Sequence, residues 1–176
     1  GILTSNTHKT GSDRLAEAAS LLSLADDDVV VNLQGDEPFV DFNDINNVAD
    51  LLKDRAVDMG TLYADLTIED VINPNVVKIW TKKNGHVTDF SRNEEKISDK
   101  KLTRSQHLGI YAYRVKFLKE FINWKQTENE KMESLEQLRV LEGGKNIYAR
   151  KSVAKIHLGI DTPEDLHLAR KLIDND

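Results

Sequence analysis

Apolar residues in this chain alternate between helical spacing and short β-branched runs. Leu15, Ala18, Ala19 and Leu22 recur at helical intervals across residues 13–25, after a polar stretch at 5–12. This pattern predicts a loop followed by a helix. Residues 26–28 form a turn, and the run at 29–34 reads as a strand buried on both faces, as in a parallel sheet. Ile45, Val48, Ala49 and Leu52 restore helical spacing over 44–53, and 59–66 reads as the next strand.

The second half is more varied. Asn84-Gly85 separates strand-like runs at 76–81 and 86–90, which is a hairpin signal. Residues 92–104 are polar and aperiodic, predicting an exposed loop, while 107–114 is strand-like and 115–124 is helical. Thr127 and Glu130 have capping-box spacing ahead of a helix carrying Met132, Leu135, Leu138 and Leu141, which Gly143-Gly144 ends. Strands are expected at 146–149 and 154–160. Thr162 as N-cap with Pro163 in the first helical position opens the closing helix. Together the elements predict an α/β fold: one domain over 1–176 with an open, mostly parallel, Rossmann-like sheet flanked by helices and a hairpin or dimerisation insertion.

Composition narrows the chemistry. The chain has no cysteine, which fits a reducing, cytoplasmic setting and removes thiolate nucleophiles and thiolate metal sites. Its formal net charge of -6 is spread without a basic stripe, which argues against a nucleic-acid partner. The apolar runs are too short to span a membrane.

Carboxylates sit where open α/β sheets gather ligands, beyond the carboxyl ends of strands. Asp36 follows the run at 29–34 and Asp161 follows the run at 154–160. Such a pair could hold a hard divalent cation such as Mg²⁺. The residues alone leave a second reading open, in which Asp36 forms the turn before Pro38 and Asp161 helps start the last helix. Gly11, Ser12 and Arg14 combine close backbone approach with a planar cation suited to a nucleotide, or else make an ordinary helix start capped by Ser12 or Asp13. Gln34, on the same rim as Asp36, either meets a ligand or is satisfied by backbone.

Six strings occur in order: GSDRLAEA, QGDEP after VVVNL, NPN before VVKI, HLGIYAYR, ESLEQLRVLEGG and GIDTPEDL. Over nearly the whole chain they resemble the CMP-Kdo synthetases, the 3-deoxy-manno-octulosonate cytidylyltransferases. The resemblance implies transfer of CMP from CTP to the anomeric hydroxyl of a 3-deoxy sugar acid, with release of pyrophosphate, for lipopolysaccharide or capsule synthesis. It also implies Mg²⁺ at Asp36 and Asp161, the nucleotide near Gly11, Ser12, Arg14 and Gln34, and the sugar near Arg92, His107, Tyr111, Glu136 and Gln137. Glu37 is expected to support the turn, and a homodimer is expected. Taken singly, Arg92 also reads as a solvated hairpin-end cation, His107 as a satisfied strand histidine, Tyr111 as a core aromatic, and Glu136 and Gln137 as a polar helix face.

Relative to the family's pattern, the chain starts at Gly1-Ile2-Leu3, beyond the expected first strand and phosphate-binding loop. Residues 93–98 and Gln106 also depart from the pattern, which leaves the choice among octulosonates and nonulosonates open. Two other functions stay in view: another sugar nucleotidyltransferase, and a non-catalytic binding or dimerisation module.

Overall fold

The structure, a computed structural model, describes residues 1–93, 101–154, 159–160 and 162–174. Helix α1 (Gly11–Leu21) precedes strand β1 (Val29–Asn32), helix α2 (Phe42–Asp50) with a 3₁₀ turn (Leu51–Lys53), strand β2 (Met59–Ala64) and short helix α3 (Ile68–Ile72). The hairpin β3 (Lys78–Thr81) and β4 (Val87–Ser91) leads to the long strand β5 (Thr103–Arg114). Then come α4 (Val115–Phe121), α5 (Glu128–Glu133), α6 (Gln137–Glu142), β6 (Ile147–Lys151) and α7 (Pro163–Asp174).

The open α/β architecture is as expected, but the sheet is mixed rather than mostly parallel. Strands β1, β2 and β3 all run antiparallel to β5, and only β2 and β6 pair in parallel. Four strands therefore share a direction, yet β5 separates most of them. Strand β2 lies along one edge of β5, while β3 and β1 follow one another along the other edge, opposite residues 103–106 and 111–114. Between those pairings β5 bulges against β2, where Thr61 faces Tyr111 but Leu62 faces Leu108. A bulge re-aims side chains and frees backbone from the ladder, and this one surrounds Gly109.

Alternation along β5 divides the core. Leu108, Ile110 and Ala112 join Val48, Leu52 and Leu62 under α2. Tyr113 joins Phe117, Leu118, Phe121 and Leu138 beneath the helices of the other face. Gly60 lets α2 approach β2, because a Cβ there would lie 2.9 Å from the Val48 carbonyl oxygen and 3.0 Å from Leu52 Cδ2. Gly60→Ala is expected to cost about 1–3 kcal/mol by overpacking, read as a lower urea midpoint at unchanged m-value.

Local punctuation behaves as its residues dictate. Gly85 takes φ +86° in the hairpin turn, and Thr162 caps α7 through the Asp165 amide at 3.2 Å. Three expectations are corrected. Strand β1 is only partly buried, because among the described residues it pairs with β5 alone and Val29 remains exposed. The helix expected after Thr127 is two helices, since Ser134 adopts the left-handed conformation (φ 53°, ψ 45°) and closes α5. Helix α1 is capped by Thr10, whose hydroxyl accepts from the Asp13 amide, rather than by Ser12 or Asp13. Of the strand expected over 154–160, residues 155–158 lie outside the described residues, and 154, 159 and 160 are not in a strand.

Candidate active site

Where β5 bulges away from the ladder, a cleft of about 910 Å³ opens beside this central strand. Its floor is β5, through Gln106, His107, Leu108, Gly109, Tyr111 and Tyr113. Gly11 at the start of α1, Asn32 at the end of β1, and Gln34 and Glu37 just beyond it close one side; Asn73, Asn75 and Arg92 close another. The break between α5 and α6 delivers Ser134, Leu135, Glu136 and Gln137. Had the helix run on through Ser134, these residues would follow its axis instead of turning toward the sheet.

The cleft thus unites Gly11, Gln34, Arg92, His107, Tyr111, Glu136 and Gln137. Ser12, Arg14 and Asp36 are not in its lining. Ser12 is fully buried behind it. The exposed Arg14 guanidinium donates to Thr4 Oγ1 at 2.6 Å and to the Ser5 carbonyl at 3.2 Å, bracing the N-terminal segment. Asp36 is exposed at the rim, and its backbone carbonyl accepts from the Ile160 amide at 2.8 Å. The segments carrying the two candidate metal ligands therefore meet, although Asp161 itself lies outside the described residues.

Several polar groups around the cleft are fixed by named partners. Arg92 is held at the rim by Nε donating to the Glu133 carbonyl at 3.1 Å and Nη1 to the Pro74 carbonyl at 3.2 Å, while Glu133 accepts from its amide. The fully buried Lys78 ammonium donates to the carbonyls of Asn73 (2.6 Å) and Arg92 (3.0 Å), tying the Asn73-Pro74-Asn75 turn to the hairpin end. Across the sheet, buried Asp44 accepts from the amides of Val153 and Ala154 and from Ser152 Oγ, fixing the chain as it leaves β6. Sequence reasoning missed Lys78, Asp44 and Thr61, which read there as ordinary strand and helix residues. It also set Glu37 aside as support, yet this side chain reaches the cleft beside Gly109 and Gly159.

His107 is neutral by construction. Thr61 Oγ1 donates to the Ile110 carbonyl at 2.9 Å, so the 3.0 Å contact with His107 Nε2 has the imidazole N–H donating to the hydroxyl. Nδ1 is then an acceptor. Burial pushes the imidazole pKa down to about 3. The unfolded chain therefore binds a proton that the folded one refuses, and stability is lost as pH falls from about 6.5 toward about 3. Unfolding free energies from urea titrations between pH 7 and pH 4.5 should fall more steeply for the wild type than for His107→Asn, by up to about 1.4 kcal/mol per pH unit.

Burial raises the carboxyl pKa of Glu136, against the opposing effect of the Ser12 hydroxyl and Arg139. Burial likewise pushes the Tyr111 phenol pKa up, helped by Glu136 and Glu37. The Tyr111 phenol is thereby kept protonated as a hydrogen-bonding group. One end thus offers a guanidinium, the wall offers amides, hydroxyls and an imidazole acceptor, and the β1 rim offers carboxylates. Such a set can bind a polyhydroxylated anion and a second ligand side by side.

The cytidylyltransferase family model matches residues 2–147. The chain is 42% identical to 3-deoxy-manno-octulosonate cytidylyltransferase 2 of Actinobacillus pleuropneumoniae serotype 5b, over 98% of this chain and 73% of that protein. It is also 42% identical to the 3-deoxy-manno-octulosonate cytidylyltransferase of Vibrio vulnificus strain YJ016, over 97% and 72%. A solved CMP:2-keto-3-deoxy-manno-octonic acid synthetase complexed with CTP superposes with a TM-score of 0.86 at 31% identity, covering 99% of this chain and 72% of that one. A putative glucose-1-phosphate thymidylyltransferase from Bacillus anthracis shares the fold alone, at a TM-score of 0.62 and 15% identity.

The fold is that of a nucleotidyltransferase. Within that class the chain belongs to the cytidylyltransferase family, together with the CMP-Kdo synthetases. Cytidylyltransferases generally use a divalent metal, and the oxygen donors at the β1 rim suit a hard cation. Among the described residues no helix is long and apolar enough to cross a membrane.

Proposed function

We propose that this chain transfers CMP from CTP to the anomeric hydroxyl of a 3-deoxy-manno-octulosonate-type sugar acid, releasing pyrophosphate, in the cytoplasm and as a homodimer. The product would be an activated sugar for lipopolysaccharide or capsule. The observation that carries this reading is the convergence on one cleft of Gly11 and Gln34 from the α1 and β1 ends with Arg92, His107, Tyr111, Glu136 and Gln137.

In this reading Gly11 gives the nucleotide close backbone approach. A Cβ at Gly11 would come within 3.3 Å of Gln34 Nε2 and 3.4 Å of Asn32 Nδ2. Arg92, fixed by three carbonyls, meets the sugar carboxylate. His107 Nδ1, Glu136 and Gln137 take sugar hydroxyls, and Tyr111 walls the ring against water. Asp36 and Asp161 would hold Mg²⁺, which when bound stabilises charge on the phosphoryl oxygens as the anomeric hydroxyl attacks in line. The chain's own part is orientation: two ligands held in one geometry convert a bimolecular step into an effectively unimolecular one.

Incubation with Mg²⁺, each nucleoside triphosphate in turn and Kdo, with pyrophosphate as readout, tests this. CTP-specific release that requires the sugar acid is the expected result. Release with another nucleotide would reassign the donor, and nucleotide binding without release would make the chain a binding module. Sedimentation velocity reads the oligomeric state.

A further inference from the structure

We infer that Ser12 is a positioning residue for the sugar-acid half of the cleft: its buried hydroxyl locks the Glu136 carboxylate in place and bolts the start of α1 to the α5–α6 break. Its neighbour Gly11 lines the cleft, but Ser12 is 1% exposed and does not. Ser12 Oγ instead donates to Glu136 Oε2 at 2.8 Å, across 124 positions of sequence. The same hydroxyl is hydrogen-bonded to the Tyr113 side chain. With one proton to give, Ser12 donates it to the carboxylate.

Glu136 is held from several sides. Arg139 Nη2 donates to Oε1 at 2.7 Å, and the Thr10 hydroxyl, already the cap of α1, is a further partner. A carboxylate has about four acceptor sites, so three protein donors leave room for roughly one hydroxyl of a ligand in the cleft. The arrangement makes Glu136 a single, aimed acceptor rather than a swivelling charge. Ser12 contributes from the helix that otherwise belongs to the nucleotide side, so a residue that the sequence associates with the nucleotide acts on the other substrate.

The inference rests on the functional reading above, and its test separates the two. Ser12→Ala is expected to raise the KM for Kdo about tenfold, the usual effect of losing a hydrogen bond to a charged group. The KM for CTP should stay within about twofold. Ser12→Thr, which keeps the hydroxyl, should recover most of the loss. In a Glu136→Gln background, Ser12→Ala should add little, as expected for a residue acting through another. A rise in the CTP KM with the Kdo KM unchanged, or additive effects of the two substitutions, would overturn the inference.

A second readout does not need turnover. The ¹³C-detected titration of the Glu136 carboxyl, whose charged and titratable surroundings are Arg139, Glu130, Tyr111 and Tyr113, should move upward in Ser12→Ala, since the lost hydrogen bond favours the ionised form. An unmoved titration in a variant with wild-type circular dichroism would refute the link even if the wild type released no pyrophosphate. That absence of release would instead count against the functional reading.

Discussion

Asp36→Asn should lower Mg²⁺-dependent pyrophosphate release by about two to three orders of magnitude, the scale of losing one strong electrostatic contribution to a phosphoryl transition state. Thermal unfolding should hardly move, because Asp36 is exposed and its structural bond, the carbonyl accepting from Ile160, belongs to the backbone. Asparagine keeps the shape and removes the charge that a hard cation needs. Asp161→Asn should match it, whereas Glu37→Gln, reaching the cleft from the adjacent position, tests whether the neighbouring carboxylate shares the role. Retention of full activity in Asp36→Asn would remove it from the metal assignment; an equal loss in Glu37→Gln would make the two carboxylates partners.

Arg139→Leu should be the most damaging single change to stability, at about 3–5 kcal/mol. The guanidinium is 7% exposed on its side chain and lies between Glu130, 4% exposed, and Glu136. Nη1 also donates to the Trp124 carbonyl at 2.9 Å, and the group sits 4.2 Å from the Phe121 ring centroid. Removing it strands a buried carboxylate and an unpaired carbonyl together, which costs far more than the pair contributes. The Nε contact with Glu130, at 3.2 Å, is too bent to count as a hydrogen bond, so most of the loss should come from desolvated charge. Chemical denaturation at pH 7 measures it. A triple variant replacing Arg139, Glu130 and Glu136 by apolar residues should regain part of the stability, and failure to do so would put the cost in packing.

What could be read in the sequence was local. Asn84-Gly85, Thr127 with Glu130, and Thr162 with Pro163 act within one turn, and each element they punctuate is present. Pairing could not be read this way. Nothing in residues 29–34 says that their neighbour is an oppositely directed strand formed by residues 111–114, so a β-α alternation suggested parallel neighbours. The left-handed Ser134 was equally hidden, because serine has no intrinsic preference for that conformation and tertiary contacts impose it.

The candidate site divides along the same line. Its residue types were legible because the motifs carrying them are short and chemically distinctive. Their directions were not: Ser12 and Arg14 sit two positions apart on one helix, yet one is buried against Glu136 and the other lies over Thr4 and Ser5. Asp36 and Glu37 are adjacent, and chain order cannot tell which carboxylate turns inward. Lys78 reads as an ordinary strand lysine until its ammonium is found against two carbonyls of the cleft rim.

Strand β5 carries a consequence for how the molecule is made. It is hydrogen-bonded to β1, β2 and β3, and the partner of Asn32 arrives roughly 80 residues later at Tyr111, so loop closure precedes any reward from pairing. At translation speeds of about 5–20 residues per second, β1 waits seconds on the ribosome before its partner residues 111–114 exist. Collapse of the sheet should therefore come as one late event, once Arg114 has cleared the exit tunnel, and nascent chains halted before β5 should be digested by protease while those halted past α4 resist it.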